Sequence, residues 1–385
     1  MALPISSPSP RLDRFEQAME SLYGSFTSII EPADWDPPPR SGGHRGRYLW
    51  TDAFGVINLL TMHIQYNIST EPDRWDKRYL VLADRLINTV HDVLGRTRDG
   101  CSRLPGATDA NPLGGGLRIG KTDDHGPDTD GQYHHYLTLW MFALNRMARA
   151  SGNVEYNRQA VQLAKAIHAK FFVDRVTARP RMVWKMNMDL TKALVASEGN
   201  LDPIDGYVVF RLLQASSVES GDGEVLAEEI SDYKRVLKRK GEHYVSSDPL
   251  DLGMTLWTAH WFSEREAWAA ELAGRCFEQM YNLFEINRYL ERNIKFRLAF
   301  REFGTCMGIE CQAKQANEKE RAVDLKTFSA AIIAAWDPYM ELAIADDLTP
   351  EDLRPITRVM YAAALIPGAF QSDYLGPEAE PVPES

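Results

Sequence analysis

The stretch DGQYHHYLTLWMFALNRM (130–147) decides the fold when set beside EYNRQAVQLAKAIHAKFF (155–172), which follows after a short connection. The first has few charges beyond its opening turn and is otherwise aromatic and small. The second repeats apolar residues at helical spacing and carries its charge on the opposite face. A helix of the first kind is buried nearly all round, and one of the second kind is exposed along one side. The pair predicts an inner helix followed by an outer one.

The same two kinds recur along the chain. Charged, amphipathic segments lie at 11–30, 74–95, 155–172, 223–240, 264–284 and 319–343, and aromatic, small-residue segments at 47–64, 130–147, 200–214, 248–262, 302–313 and 350–366. They alternate strictly, and the period-two alternation of strands is scarce. The prediction is an all-α fold of six inner-outer helical hairpins closed on themselves, an (α/α)6 barrel. One toroid should occupy 11–370, between a disordered N-terminus (1–10) and a disordered acidic tail (371–385). The hairpins are unequally spaced because 96–130 and 173–201, rich in Gly, Asp or Pro, are too long for simple connections, and long loops in a compact domain tend to be functional.

Composition narrows the function classes. A net charge of −11 and a pI near 5.4 oppose a nucleic-acid partner, which needs a dense basic face. The cysteines at 101, 276, 306 and 311 form no CxxC pair or zinc spacing, so neither a disulfide framework nor a structural metal is predicted. The N-terminus lacks a signal-peptide pattern, and no window reads as a membrane span. The expectation is a cytoplasmic protein, without membrane insertion, acting on a small molecule.

Asp, Ser, Thr or Asn precede most inner segments, or acids open them, as capping and helix dipoles favour. Their starts should gather at one mouth of the barrel. YLWTD brings Trp50 and Asp52 there, DTDGQYHH brings Asp128, Asp130, Tyr133, His134 and His135, SEGNLDPID brings Glu198, Asp202 and Asp205, and DPLDLGMTLWTAHW brings Asp251, Trp257 and His260. Acids beside aromatic rings in a concave mouth suit sugars, because carboxylates move protons and rings stack on pyranose faces. Each acid has a competing reading as a helix cap. Glu198, just before its helix, is the least cap-like. His134 and His135 diverge by about 100° on a helix, so only one should face the lumen. The run GGGLRIGK (114–121) lacks P-loop spacing, and Arg118 and Lys121 read instead as ligand-facing groups on a loop over the mouth. No metal site is predicted, since no HxH or HxxxH spacing occurs.

With its alternating helices and mouth acids, the chain resembles the six-hairpin glycosidase superfamily over roughly 11–366. The resemblance implies an enzyme that hydrolyses a glycoside or related small polyol, without cofactor, by carboxylate acid/base chemistry. Glu198 or Asp202 would be one carboxylate and Asp52, Asp130 or Asp251 the other, with His260 as a proton-transfer candidate. Trp50, Tyr133, His134 and Trp257 would contact substrate. The chain also resembles, more weakly, the non-canonical humulene synthases of fungal tropolone pathways. That likeness implies a Mg²⁺-dependent sesquiterpene cyclase of secondary metabolism, in which Arg118, Lys121 and Lys185 grip a prenyl diphosphate.

Overall fold

The structure, a computed structural model, describes residues 9–38, 48–68, 70–121, 129–177, 179–241, 244, 246–314, 319–340, 349 and 351–380. Twelve α-helices lie among them. The inner ones are α2 (Leu49–Asn67), α4 (His134–Ser151), α6 (Asp202–Glu219), α8 (Pro249–Ala259), α10 (Ala299–Gln312) and α12 (Arg354–Leu365). The outer ones are α3 (Arg78–Leu94), α5 (Glu155–Phe171), α7 (Ala227–Gly241), α9 (Ala267–Tyr281), α11 (Lys319–Met340) and α1 (Pro10–Tyr23).

Each inner helix touches the next around the ring, and α12 packs back on α2. Each outer helix packs on the inner helix that precedes it, while α1 closes the circuit against α12. The predicted (α/α)6 barrel is therefore the observed one. No helix among the described residues is long and apolar enough to cross a membrane.

The inner ring is tightest between α8 and α10. A Cβ on Gly253 would lie 2.2 Å from the Gly304 carbonyl oxygen, and one on Gly308 would lie 2.0 Å from that of Gly253. These helices meet backbone to backbone, which only glycine allows at such separation.

At the end away from the inner-helix starts, the C-terminal segment plugs the lumen. The Phe370 ring packs on Phe54 at 4.7 Å, Trp257 at 5.8 Å and Phe142 at 6.2 Å. Gly368, at φ +52°, turns the segment so closely past Thr61 that a Cβ would lie 2.2 Å from it. The tail expected to be disordered from 371 is seated as far as 380. Arg146, buried on α4, takes the Glu378 carboxylate at 2.6 Å, since a buried guanidinium is costly without a partner. Pro10 likewise belongs to α1, capped by Ser9.

The long loop before α6 adds two short antiparallel ladders. Strands β1 (Gln132–Tyr133) and β4 (Lys185–Met186) pair with each other, as do β2 (Phe172–Val173) and β3 (Arg181–Met182). The first ladder ties this loop to the start of α4 and sets Trp184 beside the mouth.

Candidate active site

All six inner helices meet around a cavity of about 430 Å³ at their N-terminal ends. Its walls are Trp50 of α2, His135 and Tyr136 of α4, Asp202 of α6, Leu250 and Asp251 of α8, Phe300 and Arg301 of α10 and Ile356 of α12. Trp184 and residues 199–201 of the loop complete the rim. Larger hollows of about 680 and 880 Å³ lie between outer helices, at α9–α11 and α1–α11. Chemistry rather than size selects the mouth, because carboxyls of opposed proton affinity converge there.

Asp202 is the first residue of α6, with Pro203 behind it fixing the turn. Its Oδ1 accepts the His135 backbone N–H at 3.1 Å, and the Nδ1 atoms of His135 and His134 lie 3.3 and 3.4 Å away. A Cβ on Gly199 would come within 1.7 Å of Oδ2, so the carboxylate fits only because that position is glycine. Burial alone would raise the proton affinity of Asp202. The two histidines, His135 foremost, overturn that and hold the carboxyl well below the ordinary range. Asp202 is ionised.

Asp251, in the first turn of α8, accepts from Asn200 Nδ2 at 2.9 Å and Ser246 Oγ at 3.0 Å. Burial pushes its proton affinity up, and Asp248 pushes the same way against the Asn200 bond. Asp248 itself caps α8 through the Leu250 and Asp251 amides and binds Arg301. Asp205, one turn along α6, lies deeper. Burial first, then Asp202 and Asp251, drive its carboxyl well above the usual range, and its Oδ1 meets no donor. One mouth thus holds an ionised carboxylate, a second carboxyl inclined to keep its proton, and a buried neutral acid behind them.

Aromatic rings cover the other side. Trp50 packs on Tyr136 at 5.3 Å and edge-on to His135 at 5.7 Å. Trp184 stands edge-on to Tyr133 at 5.3 Å. Such walls fit the faces of a pyranose.

Of the residues singled out from sequence, Trp50, His135, Asp202 and Asp251 line this cavity, and His134 stands directly behind Asp202. The others lie elsewhere. The Glu198 carboxylate is taken by Arg239 at 2.6 Å and the Met182 amide at 3.1 Å. Asp52 faces outward to Tyr23, whose hydroxyl reaches it at 3.1 Å across Gly55. Asp130 is buried against Arg118 at 3.1 Å and accepts from the Gly120 amide. Trp257 belongs to the plug, donating to the Phe370 carbonyl at 3.0 Å. His260 follows the last residue of α8, at the opposite end, where Nδ1 donates to the Trp257 carbonyl and Nε2 accepts from the Ser372 amide. Asp128 lies outside the described residues.

The cations assigned to a diphosphate are engaged within the fold. Arg118 is buried, holding Asp130 and the carbonyls of Arg96 and Val93, so it pins the glycine loop to the end of α3. Lys185 is buried over the Tyr133 ring at 4.9 Å, and Lys121 stands over Tyr48 at 5.8 Å. Among the described residues, no three His, Cys, Asp or Glu side chains are grouped to hold a metal ion.

Capping also differs from expectation. Among the inner helices only α8 carries a side-chain cap of its own, and α4 begins at His134 after an uncapped Tyr133. Its open amide is taken instead by Asp202. That is why both histidines approach one oxygen although they diverge around their helix. Tyr136, Trp184, Asn200 and Arg301 were not anticipated. Only the isolated tryptophan in a long loop carried a signal.

Searches by sequence give no protein-family match and no curated relative. By structure, the chain is similar to a family 76 glycoside hydrolase from a bovine Bacteroides thetaiotaomicron strain, with a TM-score of 0.57 at 12% identity over 93% of this chain and 78% of that one. A family 76 mannosidase from Bacteroides thetaiotaomicron VPI-5482 gives 0.56 at 11% identity, covering 93% of this chain and 98% of that chain. A sugar epimerase from a ruminal bacterium gives 0.52 at 11% identity, covering 91% and 98%. These likenesses show the fold alone, an (α/α)6 toroid.

Proposed function

We propose that this chain is an enzyme acting on a glycoside or a related small polyol, and that its chemistry is acid/base catalysis by Asp202 and Asp251. One observation carries the reading: two carboxyls on adjacent walls of one aromatic-lined cavity have proton affinities pushed in opposite directions. Paired carboxyls whose environments separate their proton affinities are how acid and base roles are divided. Asp202, ionised, activates water or attacks the anomeric carbon, while Asp251 delivers its proton to the departing oxygen. Trp50, Tyr136 and Trp184 hold the ring. The glycoside hydrolases and sugar epimerase of the same fold support a sugar substrate.

The test is a panel of aryl glycosides, oligosaccharides and free sugars, followed by proton NMR, with D202N and D251N as controls. Release of a reducing sugar that both substitutions abolish is the expected result, and its first-formed anomer reports inversion or retention. An isomer of unchanged mass would assign the site to epimerisation instead. Turnover that survives both substitutions would overturn the reading.

A further inference from the structure

The polar contacts of Asp202 continue behind the cavity wall. His134, with Nδ1 3.4 Å from Asp202 Oδ1, turns its other nitrogen into the third hairpin. There the Tyr233 hydroxyl of α7 meets Nε2 at 2.6 Å. Both side chains have no exposure, so no solvent competes for the Tyr233–His134 bond or separates His134 Nδ1 from Asp202. Burial pushes the phenol's proton affinity well above normal, so Tyr233 keeps its hydrogen and has it available to donate. When the phenol donates, Nε2 accepts, and the ring hydrogen then sits on Nδ1, the nitrogen facing Asp202.

Two glycines make room for this line of groups. A Cβ on Gly206 would lie 2.2 Å from the Tyr233 ring. Gly206 is one turn from Asp202 on α6, on the same face, so the ring lies flush on the helix that bears the carboxylate. Gly199 clears the space at Oδ2 from the other side. Tyr233 is held further by Phe210, Phe172 and His168, with ring centroids at 4.9, 5.2 and 5.0 Å. Its hydroxyl has one position.

We propose that Tyr233 and His134 form a buried positioning relay that orients the Asp202 carboxylate from behind. The role rests on Asp202 being a working carboxylate of the site; the proton positions do not. The relay differs in kind from the His135 contact, because the His135 side chain is 21% exposed and open to substrate. The other ionisable groups facing Asp202 are Asp205 on its own helix, Asp251 on α8 and Lys240 on α7, whose Nζ donates to the Gly199 carbonyl.

The experiment uses the full chain labelled with ¹⁵N-histidine and ¹³C-aspartate. In the unsubstituted protein the relay requires the His134 hydrogen on Nδ1 with Nε2 accepting, and a hydrogen on Nε2 would overturn the relay without any variant. Tyr233→Phe keeps the ring and removes the donor. The Asp202 carboxyl midpoint should then rise by about one pH unit, and the Nδ1–H population should fall. If turnover is found, kcat should drop about tenfold with KM within about threefold, and the acid limb of its pH profile should move with the midpoint. An unmoved midpoint in a folded Tyr233→Phe protein would overturn the proposal. Because the NMR needs no substrate, a relay seen without turnover on any sugar counts against the glycoside reading alone.

Discussion

Asp202 Oδ1 accepts the backbone N–H of His135 at 3.1 Å, so the first residue of α6 closes the first turn of α4, one hairpin earlier. A single oxygen thereby serves the barrel and the proposed chemistry. The two roles separate by substitution. Asn at 202 keeps an acceptor for the amide but loses the charge, so D202N should lower turnover by about 10²- to 10⁴-fold and forfeit only the stability that the charge supplies. Ala at 202 should lose the same activity and about 1 kcal/mol more stability through the missing cap. Turnover and thermal unfolding of the two variants check the split, and equal stability would refute the cross-hairpin cap.

Glu198 provides the contrast. Its bonds to Arg239 and to the Met182 amide hold its carboxyl below the normal range against burial, as a structural ion pair does. Glu198→Gln should cost about 1 kcal/mol. It should lower turnover less than tenfold, far short of the loss in D202N. A loss as large as that of D202N would return Glu198 to the catalytic pair.

Asp251 should act through its proton, and its raised proton affinity extends the pH range in which the proton is present. Activity should therefore fall as pH rises through the Asp251 midpoint, above the ordinary carboxylate value. Removing the acid matters most when the leaving group most needs protonation. In D251N the loss should be severe for alkyl glycosides and much smaller for nitrophenyl glycosides. Equal losses on both would exclude Asp251 as the acid.

Much of the barrel was legible in the sequence, because helices buried on every side leave a mark in composition. The closed ring follows from the strict alternation, and the acids at inner-helix starts pointed to the mouth. Which acid turns inward was not legible. Glu198 and Asp202 lie four residues apart, and what separates them is Arg239, forty-one positions beyond Glu198, and the missing Cβ of Gly199. Asp130 has the sequence position of a mouth acid, and only Arg118, packed against it in the fold, takes it out of the mouth. Trp184 reaches the cavity only through the β1–β4 ladder, whose two-residue strands are too short for any periodicity to show.

Backbone contact between α8 and α10 gives a prediction for the scaffold alone. Gly308→Ala would drive a methyl to within 2.0 Å of a backbone carbonyl that has no side-chain freedom to yield. Separating the two helices costs at least about 3 kcal/mol by the measure of overpacked cores. Gly24→Ala, at an open helix end with φ +81°, should cost about 1 kcal/mol from backbone strain alone. Chemical denaturation of both variants gives the comparison, and similar losses would mean that α8 and α10 can part cheaply.

Histidines held neutral by burial should make the fold less stable toward acid. His91, which accepts from Trp140 Nε1 at 3.0 Å, is pushed down to about 4 by burial, and burial pushes His260 down to about 3. The unfolded chain binds these protons near pH 6.5, whereas the native state refuses them until the pH falls to those lower values. Between these limits the unfolded state holds more protons, so stability falls as pH decreases, by up to about 1.4 kcal/mol per pH unit for each histidine. Carboxylates with lowered proton affinity, such as Asp202, add their own loss only below about pH 4. Asp205 and Asp251, whose proton affinities are raised, keep protons in the native state that the unfolded chain has shed and so oppose this loss, and only a comparison of two proteins isolates one histidine. His260→Gln retains a donor for the Trp257 carbonyl and an acceptor for the Ser372 amide but cannot titrate. It should start less stable at pH 7 and lose stability more shallowly toward pH 5 by about one proton's worth. Denaturant unfolding at pH 7, 6 and 5 measures both slopes, and parallel declines in the two proteins would show that His260 is not held neutral.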